Sequence, residues 1–218
     1  MTLDELLQAR YSCRGFKPDP VPRATIEAIL ATAQQSASWC NTQPWRVIIT
    51  EGEETEAVRQ GLQEAVSTGN MGADLPFPEA YLGDAKDRRR QCAWQLYEAV
   101  GIEWGDREAS GAQTFKNFQL FGAPHLAVVT TERSLGLYGA VDCGLWINAF
   151  LLAATSHGVA TIAQAAIAGC APYLRERYDI ADDRQVLCGI SFGYEDPDHP
   201  ANTFRTERAA VADVATFV

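Results

Sequence analysis

Apolar and polar residues repeat with two periods along this chain, and the changes of period mark its elements. Thr2 followed by Glu5 reads as a capping box, and Leu3, Leu6 and Leu7 behind it share one face of a short helix to about Ala9. Pro18, Pro20 and Pro22 predict an extended connector. After it, Ile26, Ile29, Leu30 and Ala33 recur at helical spacing within "ATIEAILATAQQSA". The β-branched run "RVIIT" at 46–50 predicts a strand, and 55–69 a further helix. A Gly- and Pro-rich stretch from Asn70 to about Pro78 precedes "AYLGDAKDRRRQCAWQLYEAVG", where helical periodicity returns with Arg88, Arg89 and Arg90 exposed. "HLAVVTT", "VATIAQAAI" and "QVLCGISFG" read as three more strands.

Between the first and second of these lies the longest apolar stretch, "LYGAVDCGLWINAFLLAATSHG" at 137–158. It is long enough to cross a bilayer, but Asp142, Asn148 and several small residues interrupt it, so the expectation is a buried helix. Gly139, Ala140, Gly144, Ala149 and Ala153 would admit a second helix closely, in a crowded core or at a subunit interface. Helices outnumber strands, which predicts an α+β fold around a small sheet of about four or five strands. No repeat or linker divides residues 1–218, so they are expected to form one domain, with 70–121 as a helical excursion and 195–218 as an irregular C-terminal extension.

Composition narrows the partners. A formal charge of -10 argues against general affinity for nucleic acid or an anionic membrane. Six cysteines without a C-x-x-C pair, and no basic start leading into an apolar signal core, point to reduced thiols and a cytoplasmic setting. His125, His157 and His199 lie far apart, so no metal site is signalled. There is also no G-x-G-x-x-G after a strand, no phosphate-binding G-x-x-x-x-G-K-[ST] and no G-x-S-x-G, and no histidine stands beside a cysteine to make a thiolate.

What remains is a set of forked cations. Arg10, Ser12 and Arg14 alternate in "ARYSCRGF", and in extended backbone all three would face one way. Arg205 and Arg208 stand near the other end. Guanidinium groups and a hydroxyl suit a phosphate, whose oxygens they meet in bidentate geometry, although exposed loop arginines are mostly solvated surface. A second cluster, Ser36, Ser38, Asn41 and Gln43 before Pro44-Trp45, could address a polar heteroaromatic edge or could simply end the preceding helix.

Together these segments resemble the flavin-dependent nitroreductase family. The resemblance rests on R-x-S-x-R-x-F, N-x-Q-P-W, "HGVATIAQAAI", "GISFGYE" and "NTFRTER", in that order, and spans about residues 3 to 209. It implies a nitroreductase-like fold, a mostly antiparallel central sheet surrounded by helices, in an intertwined homodimer with FMN at the subunit interface. Arg10 and Ser12 with Arg205 or Arg208 would hold the flavin phosphate, and Arg14 the pyrimidine edge. Asn41 and Gln43 would meet the ring and ribityl chain, Gln164 and Ala165 would present backbone N–H near N5, and Gly193 at the end of its strand would belong to the cofactor site. Two departures stand out. Ala37-Ser38 replaces a frequent Pro-Ser and Trp39 a frequent small residue, and "IAQAAIAG" has no acidic residue near N5, so no catalytic side chain is carried over.

The implied activity is NAD(P)H-dependent reduction of nitroaromatic or quinone-like acceptors, nicotinamide and acceptor using one pocket in turn, with the cofactor carrying the hydride. Residues 70–121 would form the substrate lid. Phe115, Phe118 and Phe121 could wall an aromatic acceptor pocket or form a buried stripe, and Arg88 could attract an acidic acceptor or face solvent. Two alternatives stay open: a same-fold flavin enzyme with another substrate, such as a reductive dehalogenase or small-heterocycle dehydrogenase, and a non-catalytic flavin-binding module.

Overall fold

The computed structural model describes residues 1–218. Four strands, β1 (Arg46–Ile49), β2 (His125–Glu132), β3 (Ala160–Gln164) and β4 (Arg184–Gly193), form one antiparallel sheet in the order β1-β2-β4-β3. The register places Val128 opposite Gly189 and Ile162 opposite Ser191.

Alternation along β2 feeds two cores. Ala127 and Val129 join Ile26 and Ile29 of α2 (Arg23–Ala33) and Trp146 and Phe150 of α6 (Gly136–Ser156) on one face. Leu126 and Val128 join Val58 and Leu62 of α3 (Glu53–Thr68) and Leu174 of α8 (Ala171–Tyr178) on the other. Burial on both faces explains why "HLAVV" shows no polar alternation. At its start, buried His125 bridges segments: its Nε2 accepts the Val21 N–H at 2.9 Å and its Nδ1 lies 3.0 Å from the Thr50 carbonyl. The first bond fixes the neutral tautomer, with the proton on Nδ1.

The capping box at Thr2 is present: the Glu5 N–H donates to Thr2 Oγ1 and the Thr2 N–H to Glu5 Oε2, opening α1 (Leu3–Ala9). Two expectations change. The run "VATIAQAAI" is a strand only to Gln164. There the buried amide of Gln164 donates to Asn117 and accepts from Ser191 Oγ, and the Ala-rich remainder turns into α7 (Ala165–Ala168). Nor is α6 buried all round. Cys143, Trp146 and Phe150 face the core, whereas Leu137, Tyr138, Val141 and Leu145 are each more than half exposed and fall along one stripe at helical spacing.

Residues 70–121 hold α4 (Gly83–Ala99) and α5 (Arg107–Phe115). No α4 residue is buried; the helix is tied to the C-terminal segment by Gln91 to Glu207 and by Gln95 to the Arg205 carbonyl. Phe115, Phe118 and Phe121 follow the core-packing alternative, though not as one continuous helical stripe. Alpha helix α5 ends at Phe115, Phe118 packs into the core with Val58 and Leu174, and Phe121 is buried in a tight turn with φ of 51°.

Candidate anion and cofactor site

Past the end of α1 the backbone becomes extended at Arg10, and Ser12 bridges Thr161 of β3, with the Cys13 N–H donating to the Thr161 carbonyl at 3.0 Å. That pairing fixes the alternation of Arg10, Ser12 and Arg14. The C-terminal segment reaches the same place because Asn202 ties it there. Asn202 Oδ1 accepts the Arg14 N–H at 2.8 Å, and its Nδ2 donates to the Gly15 and Asp196 carbonyls, both at 2.9 Å.

The result is a cavity of about 350 Å³ lined by Arg10, Ser12, Arg14, Arg205 and Arg208 together with Gln8, Tyr11, Cys92 and Thr206. No carboxylate lines it, and none of its four arginines takes part in an ion pair. Arg14 Nη1 donates to the Ser12 carbonyl, and Arg208 Nη1 to the Thr206 hydroxyl and backbone carbonyls. Burial lowers the Arg10 pKa, and the like charge of Arg208 lowers it further; burial also lowers that of Arg14. On a chain of charge -10 this concentration of unbalanced cations has the donor chemistry that suits an anion.

Other expected site residues lie elsewhere in the chain. Asn41 and Gln43 bond to each other, Gln43 Nε2 lying 3.2 Å from Asn41 Oδ1, and Gln43 lines a separate cavity beside Gln34, Trp45 and Trp146. Their loop holds three non-glycine residues of positive φ, Cys40, Asn41 and Gln43. Buried Asp142 of α6 pins it, accepting the Trp39 N–H on both carboxylate oxygens at 3.1 Å. Gln164 spends its amide on Asn117 and Ser191, so only backbone N–H groups of the β3–α7 turn are open to a ligand, at exposed Ala165 in particular.

Gly193 does not line the anion cavity: a Cβ there would come within 2.5 Å of Pro124, so glycine is required for packing. Arg88 lies outside the cavity too, exposed and paired with Asp84 one turn away. Sequence reasoning passed over Tyr11 and Cys92. Alternation in extended backbone leaves Tyr11 out of the face shared by Arg10, Ser12 and Arg14, and nothing in the α4 sequence places Cys92 beside an N-terminal motif. All six thiols are free, and burial raises Cys170 to about 11 and Cys188 to about 12.

The nitroreductase family model matches residues 7–194. The chain belongs to the nitroreductase family. Among members, it is 30% identical over 215 residues to nitroreductase NfnB of Mycolicibacterium smegmatis, covering 98% of this chain and 92% of that protein. It is 31% identical over 220 residues to a 4-nitrobenzoate reductase of Nocardioides sp., covering 99% and 89%. The crystal structure of the FMN-dependent nitroreductase NfnB from Mycobacterium smegmatis in complex with NADPH superposes with a TM-score of 0.94 at 30% identity, covering 99% of this chain and 97% of that one. The nitroreductase fold expected from the motifs is therefore the fold of this chain, with four antiparallel strands at its centre.

Proposed function

We propose that this nitroreductase-family chain is an FMN-dependent NAD(P)H oxidoreductase that reduces nitroaromatic acceptors as a homodimer. The observation that carries the reading is the pocket of four arginines without a counter-ion. It fits a flavin phosphate in charge, in donor geometry and in its lack of any carboxylate that would repel one. FMN, when bound, supplies hydride acceptance from a nicotinamide and delivery to an acceptor that takes the nicotinamide's place.

The chain's own residues bind and orient. Arg10, Arg205 and Arg208 would neutralise the phosphate, the Ser12 hydroxyl would donate a hydrogen bond to it, and Arg14, held near them by its bond to the Ser12 carbonyl, would supply a cation for the pyrimidine side. The bonds of Gln164 to Asn117 and Ser191 hold the β3–α7 turn still, so that the Ala165 backbone can face a reacting ring without a side-chain acid. No residue need act as nucleophile or base, which agrees with the absence of such a constellation.

The homodimer is supported by two observations. The stripe Leu137, Tyr138, Val141 and Leu145, joined by Trp39 at 61% exposure, is an apolar face with nothing against it. Asn41 and Gln43 lie outside the anion pocket of their own chain, so on this reading the pair that meets the flavin is supplied by a second copy. Six free thiols accord with a reducing, cytoplasmic setting.

The deciding experiment is anaerobic spectroscopy of the purified protein. It should carry flavin absorbance that NADPH or NADH bleaches and that 4-nitrobenzoate restores. A flavin that bleaches but is not reoxidised by any nitroaromatic would assign the fold another acceptor. Protein that cannot be loaded with FMN would refute the reading.

A further inference from the structure

Tyr11 sits between the arginines of the N-terminal motif, yet its hydroxyl is turned away from the anion pocket. That hydroxyl donates to Glu195 Oε2 at 2.5 Å, and burial followed by this bond raises the phenol's pKa. Over its ring lies the guanidinium of Arg205, with Cζ 3.6 Å from the centroid. Arg205 belongs to an irregular segment, and a long side chain there would sample many rotamers unless held. Besides the ring, only the Asn202 and Phe204 carbonyls hold it, both accepting from Nη1.

Glu195 is placed as tellingly as Arg205. A second cavity, of about 430 Å³, adjoins the first and shares Arg10, Tyr11 and Arg205 with it. Glu195 lines the second and not the first. Tyr11 and Arg205 thus stand between the two spaces, with Glu195 confined to the second, Arg14 and Arg208 to the first, and Arg10 reaching both. A carboxylate free to enter the anion pocket would pair with its arginines and compete with a phosphate.

We propose that Tyr11 is the positioning residue of the anion pocket: its ring fixes Arg205 at the pocket wall, its hydroxyl retains Glu195 in the neighbouring cavity, and together they set the preference for phosphorylated over unphosphorylated flavin. This rests on reading the pocket as the phosphate site of FMN.

The test is fluorescence titration of the deflavinated full chain with FMN and with riboflavin, which differ only at the phosphate. Wild type should prefer FMN. Tyr11→Leu should cut that preference about tenfold, the scale of a partly desolvated cation–π contact. Tyr11→Phe keeps the ring but frees Glu195, and should cut it about threefold, with riboflavin affinity unchanged in both. Tyr11→Leu combined with Arg205→Ala should lose no more preference than Arg205→Ala alone, since one acts through the other. A Tyr11→Leu or Tyr11→Phe protein that keeps the wild-type preference, or losses that multiply in the double variant, would overturn the proposal. Riboflavin affinity falling in step with FMN affinity would mark a merely structural residue and overturn it equally. Should wild type itself show no preference for FMN, the phosphate reading falls first and this inference with it.

Discussion

The anion pocket and the loop carrying Asn41 and Gln43 are two halves of one proposed site, built by opposite means. The pocket is complete within one chain: its arginines come from both ends of the polypeptide and are drawn together by the Ser12–Thr161 bridge and by Asn202. The loop is equally well fixed, by Asp142, but it stands beside the exposed stripe of α6 and away from the pocket of its own chain. On the proposed reading, phosphate binding would be a property of the monomer, whereas contact with the flavin ring would depend on assembly. A single chain should retain part of its affinity for the phosphate and little for the ring.

The largest expected effect separates the halves outright. Val141→Arg with Leu145→Arg places two charges in the apolar stripe, and should yield a monomer by light scattering whose FMN affinity is down by at least about tenfold. A variant that remains dimeric would place the interface elsewhere. Next comes Arg10→Ala, which should weaken FMN retention by about 1.5–3 kcal/mol, the scale of a lost charged hydrogen bond, while Arg88→Ala leaves it unchanged. Flavin fluorescence after dialysis measures both. Asp142→Asn removes the charge that receives two bonds from Trp39 and should lower unfolding stability in urea by about 1–2 kcal/mol, with a smaller loss of FMN than Arg10→Ala causes.

The smallest effect concerns pH. Burial pushes the His125 pKa below 6.5, with the Thr50 carbonyl and the Glu51 charge opposing in part. A folded state that disfavours the protonated ring binds fewer protons than the unfolded chain. The stability from the neutral ring is therefore fully present above 6.5 and is lost as pH falls from there through the lowered folded value. Unfolding free energy should decline between pH 7 and pH 5, and less steeply in His125→Gln. The slope should not vanish, because burial lowers His199 as well.

The same contrast explains what could be read before folding. Strands and core helices were legible because burial imposes a period: Ile26, Ile29 and Ala33 face the core at the expected spacing, and β2 is apolar on both faces because both are covered. The arginine pocket was legible because its alternation survives in extended backbone. The role of the phenylalanines was not, since aromatic residues every third position mark a helical stripe only if one helix continues through them, and α5 stops at Phe115. Gly193 shows a related ambiguity: a glycine ending a strand beside a site looks the same whether a ligand or, as here, Pro124 approaches it. The exposed face of α6 was not legible in hydropathy, which does not distinguish a buried helix face from an exposed apolar one.

The bridge between Ser12 and Thr161 has one more effect. Strand β3 ends the sheet on that side, and the segment carrying the arginine motif lies along its outer rim, with Cys13 donating to it. Removing the first sixteen residues would therefore do more than take arginines from the cavity: it would free the Thr161 carbonyl and uncover the edge of β3, and such a rim recruits other chains. A truncated protein of this kind should aggregate instead of persisting as a soluble, flavin-free species.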